Sequence, residues 1–374
     1  MFYQIVKWLT IFTRTIFFRK ITFNRKDIAL STGPLLLASN HPNSFLDAIV
    51  IGSHFKRPVH FLARGDAFRK PFLHSIMTGL KMIPIYRLSE GREFLALNDE
   101  TFERCHKIFS TGGIILIFSE GLCVNQWLLR HLKKGTARIA LASDVTVIPV
   151  SLNYNSFKSF GKRLIVHFGD PLTAADRLSN ASAAENIHRL NFLLSQRLSA
   201  GMIQSIKDPE IPRFLVSNHV AVSGLNTGII DDLKRIQQKA EEADLKASIK
   251  SLQEPGLVAT SSLVLFLNAL NMIWLFPLAA VGLLLNGIFF FPVQKFVRKK
   301  TAGTVFYDSV LFGLLLLGYP VFWIIMNLLG FLLTENLIIR CILLLMPFLG
   351  YCSILWKEAI LKVCNYRSNL AKLF

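Results

Sequence analysis

Three long stretches in the C-terminal third of the chain carry almost no charge, and they restrict most strictly what the chain can fold into. The first runs from Leu257 to Pro292, and two more lie near residues 310–333 and 337–356. Each is long enough to cross a bilayer, where only α-helices or closed barrels satisfy every backbone hydrogen bond. We therefore expect residues 257–374 to form an α-helical transmembrane region.

The first stretch is longer than one straight span needs, and Pro277 interrupts it. The sequence QKFVRKK at 294–300 is basic, and so is the tail with Lys357 and Lys362. Basic loops stay on the cytoplasmic side of a membrane. To keep both segments there, residues 257–292 are expected to leave and return as a hairpin or re-entrant pair. A single tilted span is the alternative.

Composition indicates the partner class. Hydrophobic residues make up 52% of the chain, and the formal net charge is +18. For so apolar a chain, an anionic membrane lipid is a better partner than nucleic acid. The five cysteines are scattered and form no CxxC pair, which indicates reduced thiols in a cytosol-facing body and no metal site.

Residues 1–29 open with MFYQIVKWLTIFTRTIFFRK, in which Lys7, Thr10 and Arg14 recur at helical spacing among apolar residues. This pattern predicts an amphipathic helix that lies in the membrane interface with its cations toward lipid headgroups. A helix packed on a soluble domain is the alternative.

Residues 30–175 alternate short apolar strands with helices. Candidate strands cover 34–39, 58–63, 82–86, 114–119, 145–152 and 163–168, and helices cover 44–53, 70–80, 92–110 and 128–142. This rhythm predicts an α/β domain with a mostly parallel sheet flanked by helices. Residues 176–256 read as a helical extension or connector, with a solvated charged stretch at 231–250.

Polar residues follow the strand ends, where ligands bind in open α/β sheets. They include Asn40, His41, Arg64, Arg87 and Glu120. An imidazole there can act as a general base if a carboxylate holds its second nitrogen. Asp47, one turn into the next helix, is placed to do so. The alternative is that Asp47 only charges a helix start and His41 is a polar turn residue.

Four blocks within residues 30–175 resemble the glycerophosphate and lysophosphatidate acyltransferases of glycerolipid synthesis, in that family's order. They are NHPNSFLD at 40–47, GLKMIPIYR at 79–87, IFSEG at 117–121 and VIPVSL at 147–152. The resemblance implies that His41 and Asp47 are catalytic and that Arg87 contacts the phosphate of the acceptor.

Two features depart from the family pattern. Five residues separate His41 from Asp47 where four are usual, which resembles the glycerol-3-phosphate and dihydroxyacetone-phosphate branch. Ser119 replaces a proline, and Leu122-Cys123 replaces the usual Thr-Arg. Phosphate contacts assigned to that arginine would come from elsewhere, with Arg130, Lys133, Lys134 and Arg138 as the substitutes.

The resemblance implies an O-acyltransferase of phospholipid synthesis. The apolar stretches and the basic segments predict that it is a multi-pass membrane protein whose catalytic domain faces the cytoplasm. The donor would be acyl-CoA or acyl-ACP, so no cofactor or metal is expected, and acyl carrier protein is a further potential partner. Glycerol 3-phosphate is the expected acceptor; lysophosphatidate, another lysolipid or an acylated amino acid is the alternative. The substrate-binding residues would be Asn40, Arg64, Arg87, Ser119, Glu120, Gly121, Lys134 and Arg138.

Other function classes account for less of the sequence. A serine hydrolase would need a GxSxG elbow, which the chain lacks. A membrane transporter would explain the broken run at Pro277, but the apolar stretches carry almost no ionisable residues. A noncatalytic membrane scaffold would leave the four blocks unexplained.

Overall fold

The computed structural model describes residues 2–87, 91–176, 180–204 and 262–370, with scattered positions between 212 and 238. The chain divides into two compact units. One comprises Met1–Ser217 with Leu225–Lys234, and the other comprises Asn218–Gly224 with Arg235–Phe374. The charged stretch expected at 231–250 lies largely outside the described residues.

The first unit is built on a seven-stranded sheet. Its strands are β1 (Phe18–Phe23), β2 (Leu35–Ser39), β3 (Val59–Arg64), β4 (Met82–Ile85), β5 (Ile114–Phe118), β6 (Val147–Tyr154) and β7 (Lys162–Phe168). The order is β1-β7-β6-β2-β5-β3-β4, and every pairing is parallel except β6 with β7. The expected mostly parallel sheet is confirmed, and all six predicted strands occur.

Helices connect the parallel strands and cover the sheet. They are α2 (Phe45–His54), α3 (Pro71–Gly79), α4 (Leu97–Ser110), α5 (Gly135–Ser143) and α6 (Ala183–Ala200). Apolar residues of β2 and β5 pack with α4, α5 and α6 into a core that includes Leu36, Ile115, Phe109, Ala137 and Leu194. Burial of such a face is what stabilises this layered architecture.

The helix predicted over 128–142 begins only at Gly135, which is a correction. Residues 120–134 instead form a loop whose backbone is tied to neighbouring segments. The Val124 N–H donates to the His41 carbonyl at 3.2 Å, and the Lys133 N–H donates to the Ser119 carbonyl at 2.7 Å. These bonds replace the ones that a helix would have formed within itself.

The N-terminal segment forms helix α1 (Phe2–Phe17), and the chain then enters the sheet as β1, a strand that the sequence pattern did not predict. The cations of α1 face the protein, contrary to expectation. Lys7 Nζ donates to the carbonyls of Phe55 and Lys56 near the end of α2, and Arg14 donates to Ser53 Oγ at 2.7 Å. Carbonyls at a helix C-terminus attract cations, which explains this inward orientation.

The second unit contains helices α7 (Ser262–Lys300), α8 (Tyr307–Leu333), α9 (Leu337–Leu344) and α10 (Met346–Leu370). Helices α7 and α8 are long and apolar enough to cross a membrane, and the α9–α10 pair, bent by 62°, passes the same test. The hairpin expected over 257–292 is wrong, since α7 runs through Pro277 and Pro292 without a break.

Helix α10 lies antiparallel to α7 and contacts it between Met272 and Asn286. Trp356 Nε1 donates to the Met272 carbonyl at 2.9 Å, and Asn286 Nδ2 donates to the Met346 carbonyl at 3.0 Å. A neighbouring helix of this kind lets a proline such as Pro277 persist inside an apolar helix. Helix α7 is therefore one continuous element.

Candidate active site

The candidate site lies at the carboxyl end of β2, which is flanked by β5 and β6. Asn40 follows directly, and its side chain continues the strand pairing with β6. Asn40 Nδ2 donates to the Leu152 carbonyl at 3.2 Å, and Asn40 Oδ1 accepts from the Leu152 N–H at 2.8 Å. Asn40, which the sequence predicts to bind substrate, braces the strand end through these two bonds and so directs the next residue, His41.

His41 and Asp47 meet as predicted. His41 Nδ1 lies 2.9 Å from Asp47 Oδ2, and the imidazole stacks on Phe118, with ring centroids 3.7 Å apart and planes 10° apart. The His41 side chain is 18% exposed, whereas Asp47 is fully buried. Because Nδ1 is taken by the carboxylate, Nε2 is the nitrogen that can exchange a proton with a ligand.

The Asp47 carboxylate accepts three hydrogen bonds. Besides His41, the Asn43 N–H donates to Oδ2 at 2.7 Å, and the Tyr154 hydroxyl donates to Oδ1 at 2.8 Å. A buried carboxylate is costly unless such donors surround it. Together they hold one rotamer of Asp47 against His41.

An unusual backbone conformation closes the five-residue spacing between His41 and Asp47. Ser44, just before α2, has φ of 52° and ψ of −139°, a region that L-residues rarely adopt. Its N–H donates to Cys123 Sγ at 2.9 Å. This turn lets α2 start at Phe45 and brings Asp47 back toward His41 despite the extra residue.

Glu120 follows β5 and lies beside His41. Its carboxylate is buried and accepts from the Arg130 N–H at 3.3 Å. Burial raises the pKa of the Glu120 carboxyl, while the backbone N–H groups of Arg130 and His41 act in the opposite direction. Glu120 is therefore held by backbone donors next to the proposed base.

Two guanidinium groups approach the turn after Glu120. Arg87 Nη1 donates to the Gly121 carbonyl, which joins the end of β4 to this turn. Gly121 has a φ of 68°, which favours glycine. Arg130 Nη1 is buried and has no hydrogen-bond partner among the described residues. A buried unpaired guanidinium nitrogen is a rare feature that fits an anionic ligand.

The other predicted binding residues lie in different settings. Ser119 is buried and hydrogen-bonds Thr136 on α5 at 2.9 Å, so its side chain joins β5 to that helix. Arg64 pairs with Asp66 in an exposed ion pair. Lys134 and Arg138 are exposed at the start and first turn of α5.

Two residues at the site were missed from sequence. Tyr154 lies four residues beyond Val150 at the end of β6, and only its place at a strand end gave a signal. Cys123 lies in the loop after Glu120; burial raises the pKa of its thiol to about 12, and Asp47 and Glu120 act in the same direction. Such a thiol stays protonated at neutral pH, so it is a weak nucleophile.

Part of this chain is similar in sequence to known proteins. Residues 20–153 match the family model described as Acyltransferase. A chloroplastic 1-acyl-sn-glycerol-3-phosphate acyltransferase of Arabidopsis thaliana is 25% identical over 130 residues, 34% of this chain and 34% of the relative. Another 1-acyl-sn-glycerol-3-phosphate acyltransferase, from Chlamydomonas reinhardtii, is 24% identical over 136 residues, 36% of this chain and 39% of the relative. The match thus spans between about a third and two-fifths of these curated relatives.

Among solved structures, the 1-acyl-sn-glycerophosphate acyltransferase of Thermotoga maritima aligns with a TM-score of 0.40 and 13% identity. The alignment covers 54% of this chain and 78% of that one.

Proposed function

We propose that the protein transfers a fatty acyl group from an acyl thioester to a hydroxyl group of a glycerophosphate acceptor, because residues 20–153 match the family model described as Acyltransferase. The observation that carries this proposal is the contact of His41 with the buried Asp47 at the end of β2, 2.9 Å long. Both residues lie inside the matched segment.

In the proposed reaction, the acceptor hydroxyl oxygen attacks the thioester carbonyl carbon while His41 Nε2 takes the hydroxyl proton. The carbon–sulfur bond then breaks, and the thiolate leaves with the proton from the imidazolium. Asp47 stabilises the imidazolium and fixes the ring through Nδ1. General base action of this kind contributes roughly 10²–10⁴-fold.

Arg87 and Arg130 are proposed to bind the acceptor phosphate. Arg87 reaches the turn at Gly121, and the buried Nη1 of Arg130 lacks a partner among the described residues. Guanidinium groups match phosphate oxygens in charge and geometry. Arg130 thus takes the place of the arginine missing after Glu120-Gly121. Arg64, paired with Asp66, and the exposed Lys134 and Arg138 are weaker candidates.

Lysophosphatidate is the first candidate acceptor, because the curated relatives are named 1-acyl-sn-glycerol-3-phosphate acyltransferases. Glycerol 3-phosphate is the second, and the five-residue spacing between His41 and Asp47 favours it. Acyl-CoA and acyl-ACP both supply the activated thioester that the reaction needs.

The test is transfer of a labelled acyl group by the purified full-length protein, with each donor paired with each acceptor. We expect lipid product with lysophosphatidate, and none from His41→Ala. Arg130→Gln should raise the acceptor KM with a smaller change in kcat, and Arg104→Gln, on the exposed side of α4, serves as a matched control. Activity of His41→Ala equal to wild type would refute the mechanism; product from glycerol 3-phosphate alone would reassign the acceptor.

A membrane location accompanies this function. Helix α1 exposes Phe2, Ile5, Trp8, Leu9 and Phe12, and Trp8 is 70% exposed. Because Lys7 and Arg14 are engaged with the protein, α1 presents an apolar face that suits the acyl region of a bilayer surface. We propose that this face holds the site at the membrane, on the cytoplasmic side.

Vesicles separate this role from catalysis. Trp8→Ser with Phe12→Ser should lower turnover of a long-chain lysophosphatidate held in vesicles and leave turnover of a short-chain soluble acceptor unchanged. Glu103→Ser on the exposed side of α4 is the control. Equal loss with both acceptors would show that the double variant damages the fold instead.

A further inference from the structure

Tyr154 occupies a position that links the sheet interior to the dyad. It is the last residue of β6 and is 1% exposed. Its backbone carbonyl accepts from Trp127 Nε1 at 2.6 Å, and its ring packs near Phe18 and Phe157, with centroids 6.4 and 5.9 Å away. The ring is therefore held on several sides, and its hydroxyl has a fixed position 2.8 Å from Asp47 Oδ1.

Space filling alone does not require the hydroxyl group. A phenylalanine ring would occupy the same apolar surroundings without burying a polar atom, which is costly unless it is bonded. The phenol finds its bond at the carboxylate oxygen that does not face His41. It therefore leaves Asp47 Oδ2 to His41 and the Asn43 N–H.

A cation lies over the ring of this tyrosine. Lys162, the first residue of β7, is 1% exposed, and its Nζ lies 5.5 Å from the centroid of the Tyr154 ring. A cation over an aromatic face is attracted to the ring electrons. It draws electron density from the ring, and this makes the phenolic O–H a stronger donor to Asp47.

We propose that Tyr154 is a positioning residue of the His41–Asp47 dyad and that Lys162 strengthens its hydrogen bond to Asp47. The inference rests on the proposed function and deepens it. The Tyr154 hydroxyl holds the Asp47 carboxylate in one rotamer and partly neutralises its charge by donating a hydrogen bond. Asp47 therefore orients the His41 ring without making the imidazolium too stable. Two other ionisable groups act on Asp47, the His41 imidazole in hydrogen-bond contact and the Cys123 thiol; Glu120 lies beside His41 and Cys123.

The first experiment is Tyr154→Phe, assayed as acyl transfer across pH. We expect kcat to fall roughly ten- to a hundredfold, because Asp47 would no longer be held in one rotamer and His41 would be misplaced, with the acceptor KM unchanged. The acid limb of the kcat/KM profile should move to higher pH, because a carboxylate with fewer donors stabilises the imidazolium more. Tyr3→Phe is the matched control. Tyr3 lies on helix α1, away from the dyad, and its hydroxyl accepts from the Val59 N–H at 3.2 Å.

A second experiment tests whether Tyr154 acts through Asp47. In an Asp47→Asn background, Tyr154→Phe should add little further loss, because coupled residues are not additive. Lys162→Met, which keeps the length of the side chain and removes the charge, should shift the acid limb in the same direction by a smaller amount. Multiplied losses, or an unchanged pH profile with a lower unfolding temperature, would make Tyr154 a merely structural residue and overturn the proposal.

A third measurement separates this proposal from the proposed reaction. The ¹⁵N signals of the His41 ring, assigned with His41→Gln, should change in Tyr154→Phe and stay unchanged in Tyr3→Phe, whether or not acyl transfer occurs. An inactive wild type with altered His41 signals would refute the function and keep the positioning role. Unaltered His41 signals in Tyr154→Phe would refute the positioning role itself.

Discussion

Replacing Asp47 by asparagine isolates the charge of the dyad from its geometry. The Asn43 N–H and the His41 ring both point at Asp47 Oδ2. An amide NH₂ group there would face the Asn43 donor, so the introduced amide must turn its oxygen to this side. Its NH₂ group then faces the Tyr154 oxygen, which can accept. Asp47→Asn therefore preserves the His41 tautomer and removes only the negative charge.

The magnitude follows from Coulomb attraction between the imidazolium and the carboxylate. Opposite charges about 4 Å apart attract by about 4 kcal/mol at an effective dielectric constant of 20. At about 1.4 kcal/mol per decade, Asp47→Asn should lower kcat by about a thousandfold. The acceptor KM should change little, because Asp47 is buried behind His41 and the proposed phosphate contacts lie elsewhere.

The assay is steady-state acyl transfer by Asp47→Asn, with unfolding temperature measured on the same preparation. Asp47→Ala is the comparison: it leaves three donors without an acceptor, each worth about 1–3 kcal/mol, so it should also be clearly less stable. A loss of less than tenfold in Asp47→Asn would refute the reasoning, because the charge would then contribute little. So would a large fall in stability, because the amide would not fit as described.

Three further predictions concern packing, pH and topology. Gly282→Ala should destabilise the second unit, because a Cβ at this position would lie 2.0 Å from the Leu349 carbonyl oxygen. Gly313→Ala should not destabilise it, because a Cβ there would have no atom within 4 Å. Thermal unfolding in detergent measures both variants. Burial lowers the pKa of His54 to about 4 from 6.5. As pH falls from 6.5 to 4, only the unfolded chain binds a proton at His54, so the free energy of unfolding should fall by on the order of 3 kcal/mol. Chemical denaturation at both pH values should show that this loss is absent in His54→Phe. An equal loss in His54→Phe would contradict the prediction. Trp356 contacts Met272 near one end of α7, and Lys300 is the last residue at the other end. Roughly 42 Å of helix separates Met272 from Lys300, which is longer than the bilayer core of about 30 Å. Cysteines at Ala302 and Lys357, in a cysteine-free background, should therefore react with an impermeant maleimide from opposite sides; labelling from one side would contradict a single α7 span.

Local pattern was sufficient for much of this protein. Short apolar runs that alternate with helical segments identified six strands. Because His41 and Glu120 follow the carboxyl ends of parallel strands, they could be placed at one edge of the sheet. The pairing of His41 with Asp47 could be predicted because the two residues are close in sequence. Long uncharged runs likewise identified the helices that are long and apolar enough to cross a membrane, since length and apolarity are local properties.

Contacts between distant segments were decided only by the tertiary structure. Antiparallel packing of α10 on α7 favours a single helix where charge placement indicated a hairpin. Carbonyls at the end of α2 draw Lys7 and Arg14 inward, so α1 exposes its apolar side. Tyr154 reaches Asp47 across 107 positions of sequence. Periodicity records which face of an element is apolar, but the partner of a polar group depends on which strands and helices become neighbours.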